Sequence, residues 1–256
     1  MNKQQIINAL QAKKTQGMNA KEAACEVWKE IHPKATRQVE NPFIIFAEAL
    51  AEVFDPLTPL SLAIILKAIP DYTDKDVVDG VYDVFKTITA IKLGEVILDK
   101  DVYPMTTKER MKELLSLCEY SQADVNQAVK ILYPITFVVQ STKPWQDTGL
   151  IIESTEIATI EANNDKWFIS HESGYVDAGG GPRRINFTSY ALPGAPEGAL
   201  IARIGTHVFL AGKRCETPRN QGKLELCPND DLNGSHGLGL SDNKGSISVK
   251  IKVHLG

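Results

Sequence analysis

Along the first half of the chain, apolar residues recur at spacings of three and four, which is the periodicity of an amphipathic α-helix. Several of these segments follow a capping box, in which a side-chain oxygen accepts a hydrogen bond from an unpaired N–H of the first helical turn. The capping boxes are Asn19 with Glu22, Thr73 with Asp76, and Ser121 with Asp124. Pro42 marks a further start, because proline is favoured at the first helical position. Together these signals predict about seven helices.

After Pro134 the pattern changes to short apolar and β-branched runs separated by Gly, Asn, Asp or Pro. The clearest run is SISVKIKV, in which every second residue is apolar and lies on one face of a strand. These residues are Ile247, Val249, Ile251 and Val253. Short strands at close intervals are typical of an antiparallel sandwich. Glycine divides in the same way, since only Gly17, Gly80 and Gly94 of the 18 glycines precede the strands.

The two patterns predict a multidomain α and β protein, with an N-terminal α-helical bundle followed by an antiparallel β-sandwich. We expect the helical domain at residues 1–134 and the sandwich at residues 146–256. Residues 135–145 are expected to form the junction, because the short β-branched run ITFVVQ is followed there by proline and polar residues. The length of 256 residues allows this division, since a domain commonly contains about 100–200 residues.

Charge and hydropathy exclude several classes of protein. The chain has 28 Lys and Arg against 32 Asp and Glu, a net charge of −4, which argues against nucleic-acid binding through a basic face. Its apolar runs are shorter than the roughly 18 residues that a membrane-spanning helix needs. The first residues contain no apolar stretch typical of a signal peptide. We therefore expect a cytoplasmic protein, or one exported without a recognisable signal peptide.

Polar residues suited to a binding site are concentrated in PNDDLNGSHGLGLSDNKG, between two predicted strands. Carboxylate and amide oxygens among glycines are what Ca²⁺ requires, although the spacing does not match an EF-hand loop. Clusters of Asp, Asn and Gly also form ordinary turns, so residue types alone leave both interpretations open. The helical half contains no nucleophile constellation, metal-ligand spacing or phosphate-binding loop, and we do not expect an enzyme.

Four stretches of the second half resemble the PA-IL-like family of calcium-dependent galactophilic bacterial lectins, in the family's order and spacing. They are WQDTGLIIE, IATIEANNDKW, LPGAPEGALIARIG, and LELCPNDD together with SDNKGSISVKI. The resemblance covers residues 143–254 and does not extend to the helical half. It implies a galactose-binding-like sandwich in which a Ca²⁺ ion coordinates two sugar hydroxyls.

Matching the motifs position by position, the resemblance implies that Asp230, Asp242 and Asn243 bind Ca²⁺ through their side chains. It also implies a backbone carbonyl ligand near Ser170. Asp242 stands where the family has asparagine, and we expect its charge to tighten Ca²⁺ binding. The family grips galactose with a His-Pro-x-Gln segment that this chain lacks. The candidate sugar-binding residues are therefore Asp230 and Asp242 together with Asn233, His236 and His171.

Cys215 and Cys227 lie on neighbouring predicted strands, where a disulfide across a hairpin is one possibility. The other two cysteines lie in the helical half, and the absence of a signal peptide favours free thiols. The sequence leaves the pairing of Cys215 with Cys227 open.

These observations predict a lectin-like protein that binds carbohydrate, with galactosides as candidate ligands, through Ca²⁺. The helical half would then mediate docking onto a protein partner or assembly into a homo-oligomer. One alternative is an interaction module whose sandwich keeps the fold but has lost sugar binding. Another is a toxin-like protein whose helical half is the effector.

Overall fold

A computed structural model describes residues 2–35 and 41–256, with side chains 32–35 left out of the description. Met1 and residues 36–40 of the predicted helical domain lie outside the described residues. The chain divides into two compact units, Met1–Leu132 and Tyr133–Gly256. We call them the helical unit and the sandwich unit and describe each by itself.

Among the described residues the helical unit contains eight α-helices. They are α1 Lys3–Thr15, α2 Ala20–Ala35, α3 Pro42–Val53, α4 Pro59–Lys67, α5 Asp74–Val84, α6 Ala90–Ile97, α7 Lys108–Ser116 and α8 Gln122–Leu132. Within the described part of the chain, no helix is long and apolar enough to cross a membrane.

Helices α2, α5 and α8 begin at the predicted capping boxes. At the start of α2, the N–H of Glu22 donates to Oδ1 of Asn19 at 3.0 Å, and the N–H of Asn19 donates back to Glu22 at 3.1 Å. The same reciprocal bonds precede α5 and α8. Pro42 also lies at the first position of α3, as predicted.

The described residues contain eight helices where about seven were predicted, and the apolar run 77–98 forms two of them. Helix α5 ends at Val84, and α6 starts after Thr89, whose side chain accepts a hydrogen bond from the N–H of Lys92. Helix α1 has its own capping box, formed by Asn2 and Gln5. The periodicity alone did not separate these starts, since a capped turn inside an apolar run leaves the spacing almost unchanged.

Aromatic side chains form the centre of the described part of the helical unit. Trp28 is 1% exposed, and its ring lies 5.3 Å from Phe43, 5.1 Å from Phe46 and 5.0 Å from Tyr72. Burial raises the pKa of the Tyr72 hydroxyl well above its usual value. This hydroxyl donates a hydrogen bond to the carbonyl of Phe43, which joins the turn before α5 to α3.

A bidentate ion pair joins α5 to α7, and we expect its contribution to the stability of the fold to depend on pH. Arg110 donates from Nε and Nη2 to the two carboxylate oxygens of Asp74, at 2.9 and 2.7 Å, and this contact lowers the pKa of Asp74. A lowered folded-state pKa stabilises the fold above the unfolded-state pKa, and the contribution disappears as the pH falls through the folded-state pKa. Because Arg110 is partly exposed, we expect Asp74→Asn to cost about 0.2–1 kcal/mol at pH 7. Urea denaturation followed by circular dichroism at 222 nm measures this loss, and equal losses at pH 7 and pH 2 would contradict it.

The sandwich unit contains ten strands, and their hydrogen-bonded pairs are all antiparallel among the described residues. They are β1 Ile135–Gln140, β2 Gln146–Ile152, β3 Glu156–Ala162, β4 Trp167–Ser170, β5 Gly174–Val176, β6 Leu200–Ile204, β7 His207–Leu210, β8 Arg214–Glu216, β9 Gly222–Pro228 and β10 Ser246–Leu255. The first sheet has the order β1-β10-β3-β8 and the second β2-β9-β6-β7. Strands β4 and β5 form a separate pair. The predicted fold class, helices followed by antiparallel sheets, is confirmed.

The alternation in β10 is confirmed, because Ile247, Val249, Ile251 and Val253 are all buried. Strand β1 differs from the prediction, which placed the junction at residues 135–145. It pairs with β10 along its whole length, from Ile135 opposite Ile251 to Gln140 opposite Ser246, and forms the edge of the first sheet. Pairing with a strand that is distant in sequence, rather than local pattern, brings these residues into the sandwich unit.

The four cysteines are free. Cys215 lies in β8 of the first sheet and Cys227 in β9 of the second, so they do not face each other across a hairpin. Burial raises the pKa of Cys215 to about 11, which keeps it protonated at neutral pH.

Candidate functional site

Asn229 fastens the end of β9 to the segment that precedes β6. Its N–H donates to the carbonyl of Ala199 at 2.7 Å, and its Nδ2 donates to the carbonyls of Ala195 and Pro196, both at 3.1 Å. Its Oδ1 accepts a hydrogen bond from the N–H of Leu192 at 2.9 Å. With every polar group of this fully buried residue engaged, the backbone that leads into Asp230 is held in one position.

Asp230 and Asn243 meet at the two ends of the long polar loop. Nδ2 of Asn243 donates to Oδ2 of Asp230 at 2.8 Å and to the carbonyl of Ser141 at 2.9 Å. Both side chains are buried, with 5% of Asp230 and 4% of Asn243 exposed. Because two acceptors take both amide protons, the orientation of the Asn243 amide is determined by its hydrogen bonds. Its Oδ1 is then a buried acceptor that has no hydrogen-bond partner among the described residues.

The electrostatic surroundings of Asp230 disfavour its negative charge. Burial raises its pKa, the hydrogen bonds from Asn243 and from the N–H of Asp231 lower it, and the charges of Glu197 and Asp242 raise it further. Among the described residues, no basic side chain is one of the main contributors to this balance. A bound cation would relieve both the burial of this charge and the repulsion from the other two carboxylates.

Asp231 has a different role, which the sequence did not indicate. Burial raises its pKa, but hydrogen bonds outweigh this effect, above all the one from the N–H of His236, and the net pKa is lowered. The His236 N–H donates to Oδ2 of Asp231 at 2.6 Å. The N–H groups of Ser235 and Asn233 act in the same direction. Asp231 therefore holds the following loop in a tight turn around an ionised carboxylate.

Strand β4 lies beside the C-terminal end of the polar loop that begins at Asp230. The N–H of Phe168 donates to the carbonyl of Lys244 at 2.8 Å, and the N–H of Lys244 donates to the carbonyl of Phe168 at 3.0 Å. Because this bridge is antiparallel, the residues that follow Phe168 lie beside the residues that precede Lys244. Ser170 is therefore on the same side of the bridge as Asp242. The structure thus brings the predicted carbonyl region at Ser170 to the loop end that carries Asp242 and Asn243.

Asp242 is half-buried and follows a short 3₁₀ helix, Gly239–Ser241. Its charge raises the pKa of Asp230, so the two carboxylates interact across the loop. The Oγ of Ser170 accepts a hydrogen bond from the N–H of Ser173 at 3.0 Å, which closes the turn between β4 and β5.

The other candidate sugar-binding residues lie on exposed loops. The ring of His171 packs edge-on against Phe168 at 5.7 Å, while that of His236 stacks on Phe187 at 3.9 Å. Oδ1 of Asn233 accepts a hydrogen bond from the N–H of Ser235 at 3.0 Å. Because the backbone N–H of His236 donates to Asp231, His236 lies beside the buried residues Asp230 and Asp231. Phe187, which contacts the ring of His236, was not indicated by any feature of the sequence.

Glu197 is another buried residue that the sequence did not indicate as part of the site. It lies within LPGAPEGALIARIG, one of the four stretches that resemble the lectin family, and it is 3% exposed. Its Oε1 accepts a hydrogen bond from the hydroxyl of Tyr190 at 3.0 Å. Burial and the nearby charge of Glu197 raise the pKa of that hydroxyl.

The oxygen-bearing side chains at this site are of the types that bind hard cations in proteins. Within residues 2–35 and 41–256, no three His, Cys, Asp or Glu side chains form a ready-made metal-binding group. The group at Asp230 instead combines carboxylate oxygens with the amide oxygen of Asn243. Mixed carboxylate, amide and carbonyl oxygens are ligands that Ca²⁺ takes in proteins.

Comparison with known proteins finds similarity to solved structures. No protein-family model matches the chain, and no curated protein matches it. Among solved structures, the chain is similar to one described as the EclA N-terminal domain, a PllA-like lectin, with 22% sequence identity and a TM-score of 0.35. The match covers 46% of this chain and 95% of that one.

Proposed function

We propose that the sandwich unit binds carbohydrate through a Ca²⁺ ion held by Asp230, Asn243 and Asp242. The observation that carries the proposal is Oδ1 of Asn243, a buried acceptor without a hydrogen-bond partner among the described residues, beside the buried carboxylate of Asp230. An unpartnered buried acceptor costs about 1–3 kcal/mol, so a ligand for this oxygen is expected. A cation also neutralises Asp230, which water would not do.

The residues present fit Ca²⁺. It takes about 6–8 oxygen ligands, and the chain offers two carboxylates, one amide oxygen and a carbonyl near Ser170. The remaining positions suit two neighbouring hydroxyls of a sugar, which the bound ion would attract through its charge. Support for this assignment comes from the four stretches that resemble the PA-IL-like lectins, which include these residues.

The protein's own residues prepare this group of oxygens. Asn229 fixes the backbone before Asp230, and the carbonyl of Ser141 fixes the amide of Asn243. A group ordered before binding loses less conformational entropy when the ligand arrives. The role we propose is therefore recognition rather than catalysis.

The helical unit would serve a carbohydrate-binding protein by docking onto a partner protein or by assembling several copies of the chain. Because the His-Pro-x-Gln segment is missing, a single site has fewer direct hydrogen bonds to a sugar. Linking several weak sites raises the overall affinity without any new contact.

A second candidate function is an interaction module whose sandwich does not bind sugar. The observation that favours it is the loop after Asp231, which forms hydrogen bonds between its own side chains and backbone. Asp231 accepts a hydrogen bond from the N–H of His236, and Asn233 accepts one from the N–H of Ser235. A loop organised by its own hydrogen bonds can keep its shape without a metal ion.

Calorimetric titration with methyl β-galactoside, in Ca²⁺ and in EDTA, tests the proposed function. We expect binding only in Ca²⁺, with a Kd of roughly 10⁻⁴–10⁻³ M, because each lost charge-assisted hydrogen bond costs about 1.5–3 kcal/mol. The 3-deoxy analogue is the control, since no two of its remaining hydroxyls are on adjacent carbon atoms, and it should not bind. Binding that survives EDTA would place the site elsewhere. Failure of every glycan on an array in Ca²⁺ would favour the interaction module.

A further inference from the structure

Glu197 is a buried carboxylate that the proposed cation site does not itself use. Its chain neighbours are tied to Asn229, the residue before Asp230: the carbonyl of Pro196 accepts from Nδ2 of Asn229 at 3.1 Å, and the N–H of Gly198 donates to the carbonyl of Asn229 at 2.8 Å. The backbone of Glu197 is therefore fixed against the segment that carries Asp230.

The Glu197 side chain reaches three other segments. Its Oε1 accepts a hydrogen bond from the hydroxyl of Tyr190 at 3.0 Å. Its Oε2 accepts hydrogen bonds from Nη1 of Arg183, at 3.2 Å, and from Oγ of Ser173. Three donors on one buried carboxylate, contributed from different parts of the chain, restrain those parts relative to one another.

Two of these contacts lead directly to the candidate site. Tyr190 forms an antiparallel backbone bridge with Asp231, next to Asp230. Ser173 donates its N–H to Oγ of Ser170, the residue whose carbonyl region was predicted to contribute to Ca²⁺ binding. Asp230 and Ser170 are distant in sequence, and Glu197 connects the segments that contain them.

We propose that Glu197 is a positioning residue for the divalent cation. Its carboxylate clamps the turn after Ser170 to the segment that carries Asp230, and its negative charge adds to the field that attracts the cation. The inference rests on the proposed function, which supplies the cation. The hydrogen bonds by which Glu197 holds these segments together are present in the metal-free chain. Glu197 touches neither the cation nor the sugar in this proposal.

Glu197→Gln tests the clamp in the full-length, metal-free protein. The amide keeps the size of the side chain but cannot accept hydrogen bonds at both ends from three donors. We expect amide hydrogen exchange of residues 170–176 to become about tenfold faster, because that turn opens more often. Glu172→Gln is the matched control, since Glu172 also pairs with Arg183 but its side chain is 69% exposed. We expect this control to exchange like the wild type.

Calorimetric titration of the same proteins with CaCl₂ tests the positioning role. Loss of a partner that orients metal ligands commonly reduces affinity by about 10–100-fold, and we expect the Kd of Glu197→Gln for Ca²⁺ to rise by about tenfold. Tyr190→Phe, which removes a single donor, should give a smaller rise and keeps the test available if Glu197→Gln does not fold. A merely structural role would change the melting temperature but not the Kd of the folded protein.

The outcomes separate this inference from the proposed function. Wild-type protein that binds no Ca²⁺ would overturn the proposed function and the positioning role together. Wild-type binding with an unchanged Kd and unchanged exchange in Glu197→Gln and Tyr190→Phe would overturn the inference alone. Faster exchange with an unchanged Kd would show a clamp that does not position the cation, and this too would overturn it.

Discussion

Trp167→Ala is expected to lower the free energy of unfolding of the sandwich unit by about 3–5 kcal/mol, the range for removing a large buried aromatic side chain. Trp167 is fully buried, and its Nε1 donates to the carbonyl of Gly198 at 2.8 Å. Alanine would leave a cavity and also an unpartnered buried carbonyl. The packing around this hydrogen bond is close, because a Cβ on Gly198 would lie 2.6 Å from both Ile169 and Val176.

Thermal unfolding in EDTA, followed by near-ultraviolet circular dichroism, measures this effect without a contribution from bound metal. Trp145→Ala is the comparison, since Trp145 is only partly buried and stacks on the guanidinium of Arg203 at 4.5 Å. We expect Trp145→Ala to lower the free energy of unfolding clearly less than Trp167→Ala does. Equal losses for the two tryptophans would contradict the central position assigned to Trp167.

Asp230→Ala is expected to abolish most of the stabilisation that Ca²⁺ gives to the sandwich unit. A ligand that binds only the folded state stabilises it by about 2.7 kcal/mol when its concentration is a hundred times the Kd. Removing Asp230 removes an anionic oxygen and the acceptor that holds the Asn243 amide. Differential scanning calorimetry in millimolar Ca²⁺ and in EDTA should show a shift for the wild type and almost none for the variant.

The control for this experiment is Asp165→Ala, at an exposed aspartate of the same unit. It should keep the full Ca²⁺-dependent shift, since Asp165 accepts a hydrogen bond only from its neighbour Asn163 in the described contacts. If wild type and Asp230→Ala melt alike in Ca²⁺ and in EDTA, the loop is a turn and not a cation site.

Local signals predicted the features that depend on neighbouring residues. The capping boxes at Asn19, Thr73 and Ser121 were identified because both partners lie within four residues of each other. The alternation in β10 was equally clear, because four alternate residues of one strand face, from Ile247 to Val253, are buried. In both cases the physical cause, an unpaired N–H in the first helical turn or a buried strand face, involves residues that are close together in sequence.

Features that depend on distant residues were not predictable in the same way. The burial of Glu197 depends on Ser173, Arg183 and Tyr190, which no periodicity connects to it. Likewise, β1 belongs to the sandwich unit because β10 pairs with it. Motif resemblance indicated Asp230 and Asn243 as candidates, and the structure brings them into contact. The hydrogen bonds that fix Asn229 before Asp230, and the one from Asn243 to the carbonyl of Ser141, became visible only in the fold.

The inner position of β10 has a consequence for the order in which the chain folds. β10 is the last strand in sequence but lies between β1 and β3, and Ser141 bonds to Gly245 across 104 positions. Such non-local closure is slow, whereas contacts between successive helices are local and form quickly. During synthesis the helical unit can therefore be complete while the first sheet still has a gap. Because Asn243 enters just ahead of β10, the group at Asp230 is assembled in the closing step of folding.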